Sequence, residues 1–178
     1  MASTLTTERL TLGVFRLEDT PELHEIFSDP ETYTIGRGPF GHIDETRAWI
    51  ERRIATYRDL GYSWYGVRLT STGRLLGNCG LFVGRTGVAE PEIGYMIRRD
   101  SQGQGFASEA AAAVMSECAR ILLARVWATV RPSNAASMRV LSRIGMRLSH
   151  TGHDDKGRLH YFFWTPPTTG ARASEPPR

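Results

Sequence analysis

No stretch of this 178-residue chain reaches the roughly 18 uninterrupted apolar residues that a membrane-spanning helix needs. Its first residues lack the charged, apolar and small-residue succession of a secretory signal, so a cytoplasmic protein is expected. Cysteine is scarce. Cys79 and Cys118 sit in apolar surroundings, one in a strand pattern and one in a helix pattern, which excludes a disulfide framework and a thiolate metal cluster and reads as two buried thiols. No run of lysine or arginine of the nucleic-acid-binding kind occurs, and the formal net charge is only +3, so no nucleic-acid partner is expected. Internal repeats are also missing. What remains is an ordinary globular composition, 40% apolar and 23% charged, long enough for one domain with a sizeable core. That domain is expected over residues 1–165. Residues 166–178, rich in Pro, Gly, Ser, Thr and Arg, have almost nothing to bury and read as a disordered tail.

Two familiar phosphate motifs are absent as well. No Lys-Ser/Thr pair follows a glycine loop, which excludes a P-loop. The only G-x-G pattern of interest, Gly103-Gln104-Gly105, has Ser108 where a dinucleotide fingerprint needs its third glycine, and the roughly 20-residue offset to an acidic ribose ligand falls in the apolar run Ile121 to Val126. Yet Gln102 to Gly105 joins an apolar strand, Glu92 to Ile97, to an alanine-rich helix starting near Phe106. Glycines at that junction let the backbone approach an anion, and the first N–H groups of the helix are free to bind it.

Elsewhere the periodicity predicts a strand over Glu8 to Phe15 and a helix opened by Thr20 as N-cap with Pro21 behind it. A second helix is expected from an Asp44 cap to about Leu60. Strands follow over Tyr62 to Leu69 and Leu75 to Val83, and one more over Ala124 to Val130. A helix spans Asn134 to Ile144 with Gly145 beyond its end, and two strands, Arg147 to Thr151 and Leu159 to Trp164, are joined across Gly152 to Gly157. The cluster His150, His153, Asp154 and Asp155 falls on that hairpin and reads as turn chemistry, so no metal site is assigned. Ser108 and Glu109 suit the first turn of their helix electrostatically.

Gln102-Gly103-Gln104-Gly105-Phe106-Ala107 resembles the Q/R-x-x-G-x-G/A pyrophosphate loop of the GNAT N-acetyltransferases. The preceding Glu92-Ile93-Gly94-Tyr95 is similar to that family's central strand. Asn134-Ala135-Ala136-Ser137, continuing to Gly145-Met146, resembles the N-x-x-S-x-x-v-L-x-k-x-G-F segment of the branch that acetylates protein N-termini, ribosomal proteins included. Thr7-Glu8-Arg9-Leu10 is similar to the opening strand of the same branch. The resemblance covers about residues 7 to 164. It implies an α/β fold with a mixed, mostly antiparallel seven-stranded sheet, a splayed central strand pair and helices on both faces. It also implies acetyl-CoA as the cofactor, with no metal.

Site residues follow from the same resemblance. The loop Gln102, Gly103, Gln104, Gly105, Phe106 and Ala107 would hold the pyrophosphate through backbone N–H groups, with Arg98 and Arg99 placed to assist. Coenzyme A carries about four negative charges, so a small local excess of positive charge is enough. Met96 and Ile97 would flank the pantetheine arm, and a backbone N–H near Tyr95 or Met96 would meet the oxyanion. Asn134 would cap its helix or contact the pantetheine amides, and Ser137 would hydrogen-bond or protonate the leaving sulfur. Glu92, at the start of the central strand, is the candidate general base through one water, with Glu90 as the fallback.

The acceptor is left open by the sequence. A protein N-terminal amine is the first reading and a small-molecule amine (an amino acid or an antibiotic) the second. A non-catalytic acetyl-CoA-binding module is the third. The segment from Gly36 to Asp44, with Arg37, His42 and a single acid at its end, tilts against a polycationic acceptor. Homodimerisation through a sheet edge or the splayed strands is common in the family and compatible with the resemblance.

Overall fold

A computed structural model describes residues 1–33 and 38–167. The expectations placed on Gly36 and Arg37, and on most of the 166–178 tail, fall outside the described residues. Eight strands form one sheet: β1 (Thr4–Thr6), β2 (Leu10–Val14), β3 (Trp64–Leu69), β4 (Leu75–Phe82), β5 (Glu92–Ile97), β6 (Val126–Val130), β7 (Arg147–Asp154) and β8 (Gly157–Trp164). Four α-helices accompany them among the described residues: α1 (Thr20–Phe27), α2 (Ile43–Leu60), α3 (Phe106–Arg120) and α4 (Ala135–Arg143). The spatial order is β1-β2-β3-β4-β5-β6-β8-β7, and every neighbouring pair is antiparallel except β5 with β6. The expected mixed sheet with helices on both faces is thus present. It has one strand more than the seven expected, because the polar triplet Thr4–Thr6 pairs with Thr11 to Gly13.

Alternation along β5 assigns the two faces. Ile93, Tyr95 and Ile97 join a large cluster under α3 with Val114, Met115 and Cys118, while Met96 packs into a second, mostly aromatic cluster with Phe15, Phe27, Trp49 and Trp64. The alanines Ala110 and Ala111 are fully buried, and their small side chains let α3 lie close on the sheet. Cys79 and Cys118 are buried free thiols, both pushed upward in pKa by desolvation, Cys118 to about 12.

Three local expectations shift. Helix α1 begins at Thr20 itself, whose hydroxyl donates to the Leu17 carbonyl at 2.6 Å, so Asp19 rather than Thr20 occupies the cap position. Helix α2 begins one residue before Asp44. The Glu45 carboxylate reaches back to the N–H groups of Gly41 and His42, and this back-bond fixes the start at Ile43. The β7–β8 hairpin turns on Asp155 and Lys156 alone, because the strands stay paired to Asp154 and Gly157 rather than stopping at Thr151. Gly145 does follow α4 with φ +78°, as its place beyond the helix end requires.

Candidate active site

The two edges of β5 behave differently. Towards β4 the pairing runs without interruption from Gly77–Ile97 to Phe82–Glu92. Towards β6 a single pair is recorded, Glu92 with Trp127, supported by the Trp127 N–H donating to the Pro91 carbonyl. Beyond it the strands part. The Arg98 N–H donates to Leu76 on β4, and strict alternation then turns the N–H groups of Met96 and Gly94 towards β4 and those of Tyr95 and Ile97 towards the gap. Of the two backbone donors expected near the oxyanion, Tyr95 is therefore the one that faces the opening.

The gap ends at the glycine loop. Gly103 and Gly105 adopt φ +77° and +85°, conformations that side chains with a Cβ rarely take, and Gly105 is the residue from which α3 departs. The Gln102 side-chain amide donates to the Ile97 carbonyl at 2.8 Å and ties the loop to the strand end. No acceptor is found among the described residues for the N–H groups of residues 103–108. Six successive backbone donors at a helix N-terminus form a cradle for an anion.

Arg9, at the edge of β2, braces this cradle from outside. Its guanidinium pairs with Glu109, donates to the Gln104 carbonyl at 3.2 Å and lies 4.5 Å from the centroid of the Phe106 ring. Burial pushes the Glu109 carboxyl up, but the Thr7 hydroxyl and Arg9 outweigh it and hold the group below its ordinary value. Sequence reading left Arg9 unassigned, since 100 residues separate it from Glu109. The arginines assigned to assist the loop point elsewhere. Arg98 pairs with Asp100, and Arg99 lines a cavity of about 220 Å³ with Glu25 and Asp29 beside α1.

Across the gap, the start of α4 faces β5. Asn134 caps that helix, its Oδ1 accepting from the Ser137 N–H at 2.9 Å. The Ser137 hydroxyl lies 2.7 Å from the Tyr95 hydroxyl, which also donates to the Ser137 carbonyl at 3.0 Å. Burial raises the Tyr95 phenol, so it stays protonated at neutral pH. Tyr95 is a hydroxyl that sequence reading did not single out. The available signal was a tyrosine between Ile93 and Ile97 on a strand face otherwise apolar.

Glu92 is fully buried at the last rung before the strands part. One carboxylate oxygen accepts from the Arg85 backbone N–H, and the other from the Thr129 hydroxyl at 2.8 Å. Gly84 presses on it so closely that a Cβ there would fall 2.2 Å from Oε1. Thr129 itself is half-buried. Glu90 receives the Trp127 indole N–H at 2.6 Å and stands 3.5 Å from Arg125.

The face of β5 opposite α3 is aromatic. Trp64 covers Gly94, where a Cβ would meet its ring at 2.3 Å, and stacks on Phe82. On the hairpin, Asp154 is engaged by Arg85 and Arg131, and His150 stacks on Tyr161. No group of three potential metal ligands occurs among the described residues, and no helix is long and apolar enough to cross a membrane.

Residues 9–147 match the family model of the acetyltransferase (GNAT) domain. The chain is 32% identical over 161 residues to the uncharacterized N-acetyltransferase p20 of Bacillus licheniformis, covering 88% of this chain and 90% of that one. A crystal structure of a GNAT-family acetyltransferase from Bacillus anthracis superposes with a TM-score of 0.79 at 25% identity, over 91% of this chain and 98% of the other. The same fold, at 18% identity and a TM-score of 0.80 over 92% and 98% of the two chains, is that of the ribosomal L7/L12 α-N-protein acetyltransferase RimL solved with coenzyme A.

Proposed function

The chain belongs to the acetyltransferase (GNAT) domain family and is an N-acetyltransferase enzyme; on that premise, we propose that it moves an acetyl group from acetyl-CoA to the α-amine of a protein N-terminus. The observation that carries this reading is the run of unpartnered N–H groups from residue 103 to 108, set where β5 and β6 part. A pyrophosphate suits such a cradle, since its oxygens accept from fixed backbone donors without a Cβ in the way. The free edge of β5, with the Tyr95 and Ile97 N–H groups turned outward, suits an amide-bearing pantetheine arm. Acetyl-CoA supplies the activated thioester; the chain supplies placement and proton handling.

We assign the pyrophosphate to the loop Gln102, Gly103, Gln104, Gly105, Phe106 and Ala107, in which Gln102 anchors the loop to β5 and the other five present N–H groups, and the flank of the arm to Met96, Ile97 and Asn134. Glu92 takes the proton of the amine through Thr129, because the carboxylate is fully buried and its hydrogen-bond partner Thr129 only half-buried. The Tyr95–Ser137 hydroxyl pair is placed to hydrogen-bond the departing sulfur. A thiol with pKa near 8.5 needs little more than that. The likeness in fold to a protein α-N-acetyltransferase supports an N-terminal acceptor, and so does the chemistry. An α-amine near pKa 8 is about a tenth neutral at pH 7, against roughly one part in 10³ for a lysine.

The test is a calorimetric titration with acetyl-CoA, with NADH and ATP as controls, on the wild type and Gly105→Val. Selective binding by the wild type and its loss in the variant are expected, because valine does not tolerate φ +85°. Thiol release with N-terminal peptides and with small amines then assigns the acceptor. Binding that survives in Gly105→Val would move the cradle elsewhere. A preference for a nucleotide control would overturn the cofactor.

A further inference from the structure

Arg53, beside the aromatic cluster, is a half-buried cation that pairs with no acid among the described residues. It stands one turn after Trp49 on α2, its guanidinium carbon 5.1 Å from the Trp49 ring centroid. Its Nε is buried with no hydrogen-bond partner, and no carboxylate pairs with it among the described residues. The other described arginines without an acid partner are all exposed, whereas the half-buried Arg68, Arg98, Arg125 and Arg131 each pair with one. The titratable groups facing Arg53 are Tyr33, whose phenol is raised by burial, and the like-charged Arg52. Desolvation and Arg52 both disfavour the charge on Arg53, so the position favours an anion that the described residues do not supply.

Its position says what that is. Trp49 lies 6.1 Å, ring to ring, from Trp64, and Trp64 covers Gly94 on β5. Met96, the next residue of β5 on that face, packs into the same cluster, as does Tyr33. Arg53 therefore stands two aromatic rings from the strand along which the acetyl group is proposed to lie, and on the face opposite α3. Trp49, Tyr33 and Arg53 are all half-buried, so they line a wall rather than fill a core.

We propose that Arg53 binds a carboxylate of the acceptor, so that this enzyme acetylates amines whose molecule carries an acidic group a few bonds from the nucleophile. This inference rests on the acetyltransferase reading above and narrows its substrate class. A guanidinium held over an indole, its two Nη groups neither sealed nor hydrogen-bonded among the described residues, can take both oxygens of a planar anion. Holding an unpaired cation half-buried costs part of its hydration, which a carboxylate arriving at the Nη groups offsets. A polyamine or aminoglycoside would meet repulsion at the same point. The carboxylate has two sources of one chemistry: an acidic side chain following the N-terminal residue of a protein, or the α-carboxylate of a free amino acid or dipeptide.

The experiment compares matched acceptors. Peptides differing only by Glu or Gln at the second and third positions, and dipeptides against their C-terminal amides, are assayed with wild type, Arg53→Gln and Arg53→Lys. The wild type should favour the acidic member about tenfold or more in kcat/KM, expressed in KM. Arg53→Gln should erase that preference while leaving turnover of the neutral member and the affinity for acetyl-CoA unchanged, and Arg53→Lys should restore part of it. A preference confined to the peptides or to the dipeptides identifies the source. Equal loss on acidic and neutral acceptors, or no preference in the wild type, overturns the proposal. If no amine is acetylated although acetyl-CoA binds, the proposed function fails separately. Calorimetric affinity of the coenzyme-A-loaded protein for the Glu against the Gln peptide then still decides the role of Arg53.

Discussion

One strand, β5, has an edge that is closed and an edge that is open. Along β4 it forms six consecutive pairs, and the backbones approach so tightly that a Cβ on Gly77 would lie 2.0 Å from the Met96 carbonyl oxygen. Along β6 it forms one. The closed edge holds β5 rigidly; the open edge leaves backbone donors for a ligand to use. A site built on half of a well-paired strand is pre-organised by the other half, so precision at the reacting atoms comes from the fold and needs no loop closure.

The largest expected effect comes from damaging the closed edge. Gly77→Ala forces a methyl group into the Met96 carbonyl and should cost about 3 kcal/mol or more, read as a lowered denaturation midpoint. Wild-type stability in that variant would mean that the two strands have freedom the packing denies them. Next is the rung where the edges meet. Glu92→Gln keeps the shape but loses the proton acceptor, so kcat should fall about 100-fold with acetyl-CoA affinity unchanged. Thr129→Val should reproduce much of that loss, and normal turnover in both would remove Glu92 from the chemistry. Smaller still is the contact across the open edge. Tyr95→Phe and Ser137→Ala should each slow turnover by about tenfold or less and be non-additive, with a coupling of about 1 kcal/mol in a double-mutant cycle. Strict additivity would make the two hydroxyls independent.

The effect furthest from the chemistry lies away from both edges. Arg120 and the Ala2 N–H hold Glu117 at about 2 against the burial that opposes them. The unfolded carboxyl sits near 4.5, so the stability it confers is complete above that value and drains away as the pH falls from 4.5 towards 2. Glu117→Gln should flatten this part of an acid-unfolding curve without changing cofactor affinity at neutral pH.

Much of the open edge was legible in the chain. Local signals sufficed for β5, the glycine loop and the start of α3, because each depends on residues next to one another: an apolar run, two glycines and an alanine-rich helix. The hidden parts depend on distant pairing. Thr4–Thr6 has no strand signature of its own and is recruited by Thr11 to Gly13. Tyr95 meets Ser137 across 42 residues, and Arg9 reaches Glu109 across 100. The burial of Glu92 likewise needs Gly84 and Thr129 to arrive from two other segments. Arg98 and Arg99 misled for the opposite reason: nearness in sequence to the loop did not fix which side of β5 they turn to.

Arg9 has one more consequence. Its guanidinium, though beside the loop, is already committed to Glu109, the Gln104 carbonyl and the Phe106 ring. The groups left to greet a phosphate are neutral peptide dipoles, whose hold on an anion is short-ranged and sheltered from mobile ions. Affinity at this cradle should therefore vary little as ionic strength rises, unlike that of a site built on lysines, and the enzyme would keep its grip in salty surroundings.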